Sequence, residues 1–270
     1  MMDVFGTPNL ECVSTHFEVV RYDFEEKPRK VLDEVQLEHT LDVFINGVLT
    51  LRIVCTPKDL FDLVVGRLFT QGIISGVGDI ESIRLGTGSV EAYVTLVDAE
   101  ADYTRKQVET TKTTGTGNRV LNNYFEQDFA PRKVRPIPWR PEWILSLAKQ
   151  FSLDTPMHRA TFGTHSCYLA QEDEVLFCCE DLGRHNAFDK AIGFALRNGI
   201  DLGKSIIFSS GRLPVDMVEK GIRAGVPILV SKAVPTAMTI ELAKKYDLTL
   251  ICGARPDGMN VFNDPFAGRG

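Results

Sequence analysis

One stretch crowds more chemistry-bearing side chains together than any other: Glu180-Asp181-Leu182-Gly183-Arg184-His185-Asn186-Ala187-Phe188-Asp189-Lys190. An arginine in such a run can hold an anion, and a histidine can share or exchange a hydrogen with it. We therefore expect Arg184 and Arg212 to contact an anionic ligand and His185 to hydrogen-bond it or exchange a proton with it. Asp181 and Asp189 are expected either to orient those cations or, respectively, to cap a helix and to lie on a solvated face.

These residues need elements to position them. The apolar run Val175-Leu176-Phe177-Cys178-Cys179 precedes the stretch, and Phe188, Ala191, Ile192, Ala195 and Leu196 recur after it at helical spacing, so the order is strand, polar loop, helix. The pattern returns in kind. Ser205-Ile206-Ile207-Phe208 leads through Ser209-Ser210-Gly211-Arg212 to a helix opened by Pro214. Val226 to Val230 leads through Ser231-Lys232 to a helix opened by Pro235, and Leu248-Thr249-Leu250-Ile251 runs into Cys252-Gly253-Ala254-Arg255-Pro256-Asp257-Gly258. Strands alternating with helices predict an α/β fold with a mixed, largely parallel sheet flanked by helices, whose post-strand loops line one ligand crevice. Those loops carry Arg184, His185, Arg212, Lys232 and Arg255 in a chain of net charge −6. Cations gathered beside helix N-termini point to an anionic, phosphorylated ligand; solvated loop-tip charges are the plainer alternative.

The N-terminal part is β-rich and smaller. Leu41, Val43 and Ile45 alternate, Asn46-Gly47 follows, and Leu49, Leu51 and Ile53 resume the alternation, which predicts a type I′ hairpin. Thr56 is expected to cap a helix with Pro57 at its first position, ending at Gly72. A second hairpin should join 80–85 to 90–96. Thr110 to Asn118, polar with two glycines, reads as a flexible loop, and Pro131 to Pro141 as an extended basic connector. The expected organisation is 1–130 for the hairpins, helix and loop, 131–141 for the connector, and 142–270 for the α/β part with the crevice.

The 270 residues, 44% hydrophobic and 24% charged, fit an ordinary globular protein. The acidic balance argues against nucleic acid as a partner. No apolar run is long enough for a membrane span and no signal-like segment opens the chain, so a cytoplasmic location is expected. Six cysteines without a CxxC are expected to be reduced thiols, with Cys178 and Cys179 buried. Without CxxC, the His16-Phe17-Glu18 triplet does not make a deaminase-type zinc site, and no metal site is expected. His165 is a further candidate for a site or for a structural hydrogen bond.

The order of motifs resembles the formate dehydrogenase accessory sulfurtransferase family, FdhD. The resemblance rests on Asn46-Gly47, Thr56-Pro57-Lys58-Asp59-Leu60, Gln71-Gly72-Ile73-Ile74, Thr161-Phe162-Gly163-Thr164-His165, the 180–190 stretch, Ser210-Gly211-Arg212 with Met217-Val218, Ala224-Gly225-Val226-Pro227 and Pro235-Thr236, over about residues 33–262. It implies a cytoplasmic homodimer whose main domain is cytidine-deaminase-like. It also implies that the protein takes sulfur from a cysteine desulfurase and delivers it to the molybdenum cofactor, molybdenum bis(molybdopterin guanine dinucleotide), for formate dehydrogenase. The family's cofactor-binding segment falls on Gly253, Ala254, Arg255, Pro256, Asp257 and Gly258.

The family's CxxC pair, which carries a persulfide, falls by the same resemblance on Thr113 and Thr116. A threonine hydroxyl ionises too weakly for thiol exchange and carries no sulfur. Two functions stay open: sulfur transfer through another cysteine, with Cys252 and Cys167 best placed, or a cofactor carrier that performs no sulfuration.

Overall fold

The computed structural model describes residues 2–24, 27–98, 131–153 and 155–266. The expected flexible loop at 110–118, with Thr113 and Thr116, lies outside the described residues.

The first sheet has strand order β1-β6-β7-β4-β5, from β1 (Asp3–Phe5), β6 (Ile80–Leu85), β7 (Glu91–Leu96), β4 (His39–Ile45) and β5 (Val48–Cys55). The Asn46-Gly47 turn forms as expected: both residues have positive φ, 48° and 83°, the conformation a two-residue hairpin turn demands. Leu41, Val43, Ile45, Leu51 and Ile53 point from β4 and β5 into one core with Leu60, Leu63, Val64 and Leu68 of α1 (Leu60–Thr70). A separate ribbon, β2 (Ser14–Arg21) with β3 (Arg29–Gln36), pairs with no other strand among the described residues, and both His16 and Glu18 lie exposed on it.

The helix at α1 corrects one expectation. It begins at Leu60, after Asp59 in a left-handed conformation, and Thr56 does not cap it. Thr56 is drawn elsewhere: its N–H donates to Asp181 Oδ2 (3.1 Å) and its Oγ1 accepts from the Leu182 N–H (3.2 Å).

The second sheet has order β13-β12-β11-β10-β8-β9, from β8 (His165–Gln171), β9 (Glu174–Asp181), β10 (Ile206–Ser209), β11 (Ile228–Ser231), β12 (Thr249–Arg255) and β13 (Gly258–Asn263). Its centre, β10, β11 and β12, is parallel, and the outer strands are antiparallel to their neighbours. The fold is thus mixed α/β. Because β8 opposes both β9 and β10, strands β9 to β12 all run the same way. Their carboxyl ends therefore share one edge, as the alternating sequence pattern implied.

Helices cover both faces. Cys167, Leu169, Ile207, Leu229, Leu250 and Cys252 face α4 (Arg184–Arg197), α5 (Val215–Arg223) and α6 (Ala237–Lys245). Their neighbours Tyr168, Phe208, Val230 and Ile251 face α2 (Pro141–Leu153), with the Phe151 ring 4.6 Å from Tyr168 and 4.7 Å from Phe208. Period-two alternation thus feeds two cores from one sheet, which is why the strands read as continuous apolar runs. The connector expected at 131–141 is extended up to α2, anchored by the Val134 N–H on the Tyr246 carbonyl (2.9 Å).

The halves meet where α1 crosses α4 at glycine. A Cβ on Gly66 would lie 1.8 Å from the Asp189 carbonyl oxygen, and one on Gly193 would lie 1.9 Å from that of Asp62. Only glycine allows backbones this close. The layers then run sheet, α1, α4, sheet, α2. Among the described residues no helix is long and apolar enough to cross a membrane.

Candidate functional site

The 180–190 stretch divides into two parts with different work. Asp181, Asn186, Asp189 and Lys190 face inward, and all four are buried. Lys190 Nζ sits 2.7 Å from Asp181 Oδ2 and also donates to the carbonyls of Thr56 and Glu180. The other Asp181 oxygen accepts from the Gly183 N–H (3.0 Å) and Asn186 Nδ2 (2.8 Å). Asp189 is wholly buried between Arg67 Nε (2.7 Å) and Lys220 Nζ (2.8 Å), and accepts from Thr70 Oγ1 (2.8 Å). These partners hold the Asp189 carboxyl below its usual range although burial pushes the other way. Burial also pushes Lys220 down to about 8.

This network corrects the roles expected for the two aspartates. Neither touches Arg184 or Arg212; they tie α4 to α1, β5 and α5, and Asp189 is the opposite of solvated. The ion pairs Arg67–Asp189 and Lys190–Asp181 span residues more than a hundred positions apart or sealed from water, which local reading does not reach. The sequence signal was the wrong one to trust: polar crowding in a loop reads equally as a ligand site and as a buried knot.

His185 also turns away from open surface. It is 3% exposed, its Nε2 lies 2.8 Å from Asp216 Oδ2, and its Nδ1 is sealed without a hydrogen-bond partner among the described residues. The ring is tied to α5 through Asp216, and burial lowers its pKa.

The open side of the edge is different. Arg184 opens α4 after Gly183, which offers no side-chain cap. Its Nε is buried with no hydrogen-bond partner, and its guanidinium has no carboxylate partner among the described residues. Gly211 is its floor: a Cβ there would stand 3.0 Å from Arg184 Cδ and 3.2 Å from His165 Nδ1. The Gly211 carbonyl is fixed by Ser231 Oγ (2.8 Å), and the Lys232 N–H donates to the Ser209 carbonyl (3.1 Å), so the loops after β10 and β11 are locked together.

Arg212 is exposed beside this floor, with no ion pair among the described residues. Lys232 stands over the Phe151 ring, and burial together with Arg255 lowers its pKa. The segment 253–258 extends β12 past the sheet edge into the turn to β13. Gly253, at φ 65°, donates its N–H to the Ala233 carbonyl (2.9 Å), and Arg255 Nη1 donates to the carbonyls of Lys232 and Ala254. Ala254 is buried, while Arg255, Pro256 and Asp257 are exposed and Gly258 half-buried. Arg184, Arg212, Lys232 and Arg255 thus share one edge, as four loops from separate parts of the sequence.

Sequence reasoning left His165 undecided, and the structure places it there too. Glu180 builds its approach: the carboxylate accepts from the N–H groups of Met157 (2.9 Å) and His158 (2.7 Å), the first turn of α3 (Pro156–Thr161), and from Thr164 Oγ1 (3.3 Å). That fixes the loop from which β8 starts.

The thiols are placed less favourably for exchange. Cys252 and Cys167 are 0% exposed, and burial pushes the Cys252 thiol up to about 12. Cys55 and Cys179 are also buried, and burial raises both. Cys178 is half-buried rather than buried, and Cys12 alone of the six is exposed. A buried neutral thiol neither meets a donor nor ionises to attack it. The expectation that Cys252 or Cys167 could substitute is therefore not supported by their surroundings.

Fold and edge together define an α/β protein with a cationic edge at the carboxyl ends of its co-directional strands. The profile of the FdhD/NarQ family matches residues 36–267, and the chain belongs to that family. A sulfur carrier protein FdhD of Bacillus subtilis is 32% identical over 254 residues, covering 92% of this chain and 95% of that one. The protein of the same name in Wolinella succinogenes is 29% identical over 230 residues, covering 85% and 80%. A crystal structure assigned as a formate dehydrogenase accessory protein, from Desulfotalea psychrophila, superposes with a TM-score of 0.74 at 26% identity, covering 94% of this chain and 98% of that one.

Proposed function

We propose that this chain serves formate dehydrogenase maturation by holding the guanine dinucleotide form of the molybdenum cofactor, phosphates in the crevice, and passing it to the enzyme. The observation that carries the reading is Arg184. Its guanidinium has no carboxylate partner among the described residues, its Nε is sealed and unbonded, and it lies over Gly211 at an uncapped helix start. Holding a guanidinium partly desolvated and without a carboxylate is costly, and a phosphate oxygen on its terminal nitrogens, which are not sealed, would offset the cost. Arg212 and the 253–258 turn flank the same edge and would extend the contact along a dinucleotide.

In this reading the cofactor is cargo. The chain binds and orients it, and the cytosolic homodimer implied by the resemblance would meet formate dehydrogenase as its client. Calorimetric titration with GDP tests the reading. Arg212→Ala and Arg255→Ala should each weaken binding about tenfold or more if each contacts phosphate. Unchanged affinity in both moves the site elsewhere.

The relatives' name, sulfur carrier protein, supports a second reading in which a cysteine desulfurase loads this chain with sulfur for the cofactor. It requires a reachable thiol. With Thr113 and Thr116 at the positions the resemblance assigns to the sulfur-carrying pair, and five of six thiols partly or wholly buried, the carrier reading stands first. Incubation with a cysteine desulfurase and cysteine, followed by non-reducing peptide mapping, separates the two. One sulfur added to any cysteine establishes relay, and none leaves the carrier.

A further inference from the structure

His165 has an unused face. Its Nδ1 lies 3.3 Å from Ser210 Oγ, and that oxygen already accepts the Ser166 N–H at 3.0 Å. The Ser210 hydroxyl hydrogen has one acceptor among the described residues, His165 Nδ1. Were Nδ1 protonated instead, it would donate to the Ser210 oxygen and the Ser210 hydrogen, on a half-buried residue, would turn to solvent. The tautomer that keeps the Ser210 hydrogen bonded within the protein carries the imidazole hydrogen on Nε2. Nε2 has no hydrogen-bond partner among the described residues and is not among the sealed polar atoms.

Gly211 sets the neighbourhood. A Cβ there would meet both His165 Nδ1 (3.2 Å) and Arg184 Cδ (3.0 Å), so the histidine ring and the arginine stem lie side by side over one glycine. A neutral hydrogen-bonding ring thus stands beside a fixed positive charge. Resting on the crevice reading above, we infer that His165 donates through Nε2–H to the same anionic group that Arg184 holds, and that Ser210 is the positioning residue that fixes this tautomer.

The charged surroundings favour a neutral ring. Burial lowers the His165 pKa first, followed by Arg184 from α4, His158 from α3 and His185 from α4; Asp181 at the end of β9 opposes them. A neutral donor gives directional recognition of an oxygen and leaves the charge to the arginine, so affinity should not collapse as pH rises from 6 to 8.

The test has two arms. In ligand-free protein, long-range proton–nitrogen NMR of the imidazoles at pH 7 should show His165 with hydrogen on Nε2, and Ser210→Ala should loosen that preference and raise its pKa. In GDP titrations, His165→Leu should weaken binding about tenfold. His165→Gln should retain most of it, since the glutamine amide nitrogen reaches roughly where Nε2 stands. His165 found with hydrogen on Nδ1, or binding that needs the arginines but is indifferent to His165→Leu, overturns this inference alone. Arginine variants that bind GDP as well as the wild type overturn the crevice reading and this inference with it.

Discussion

Gly193→Ala offers a test in which the sign itself is diagnostic. Gly193 lies inside α4, where replacing glycine by alanine in an exposed helix gains roughly 1 kcal/mol through backbone entropy. The crossing reverses this. The new Cβ would stand 1.9 Å from the Asp62 carbonyl oxygen and 2.8 Å from the Gly66 nitrogen, all backbone atoms that cannot rotate aside. The first distance is about 1.1 Å short of the 3.0 Å below which real Cβ atoms are not found, so α1 and α4 must separate by about that much. Two ion pairs cross this seam, Arg67 to Asp189 at 2.7 Å and Arg197 to Asp62 at 2.6 Å. Overpacking costs about 1–3 kcal/mol, and loosening a buried pair adds up to about 3–5 kcal/mol. A net loss of at least about 1 kcal/mol, the low end of overpacking alone, is expected. Urea denaturation followed by far-UV circular dichroism measures it from the midpoint and slope. Gly78→Ala, at a position with nothing within 4 Å of the added Cβ, serves as control and should change stability by under about 0.5 kcal/mol. A Gly193→Ala protein as stable as the wild type, or more so, would refute the glycine crossing.

Other consequences are open to measurement. Asp189→Asn leaves Arg67 and Lys220 buried together without their carboxylate and should destabilise by about 3–5 kcal/mol in the same assay. The folded Asp189 pKa lies below the unfolded one, so its contribution is present above the ordinary carboxylate pKa and is lost as pH falls through the folded value. Stability of the wild type should therefore fall steeply below about pH 4, and Asp189→Asn should lack that part of the slope. A thiol reagent applied to native protein should modify Cys12 first, with Cys252 reacting only after urea is added; prompt labelling of Cys252 would contradict its burial. Gly211→Ala should weaken GDP binding with little change in fold, since its Cβ meets the flexible Arg184 stem and the His165 ring; full affinity would show that the two residues do not need this floor.

The periodic elements were legible because their signals are local. The Asn46-Gly47 turn, the hairpin after it and the strand-to-helix alternation beyond Val175 each depend on neighbours a few positions away. The helix start was misread for the opposite reason: Thr56-Pro57 looks like a cap, yet the Thr56 N–H and hydroxyl are taken by residues about 125 positions on. Separation along the chain also hid the pairing of β1 with β6, whereas β13, only a turn away from β12, was missed because its short sequence carries no distinctive alternation.

For the crevice, the residue types alone pointed to cations after successive strands, and the parallel sense of those strands followed from the alternation. Arg184, Arg212, Lys232 and Arg255 do share an edge. What the amino acids could not reveal was which polar groups face inward. Asp181, Asn186, Asp189, Lys190 and His185 stand in the same run as Arg184, and a run of side chains has no inside until its partners arrive. Those partners come from α1, β5 and α5, and their charges convert would-be ligand contacts into a buried knot that holds the halves together. Sequence by itself determined the main strands and helices, their order and the absence of a CxxC, since these rest on local geometry and side-chain chemistry. The tertiary structure decided burial, and with it which cations remain without a carboxylate among the described residues, because desolvation and charge pairing are properties of packed neighbours and not of any single residue.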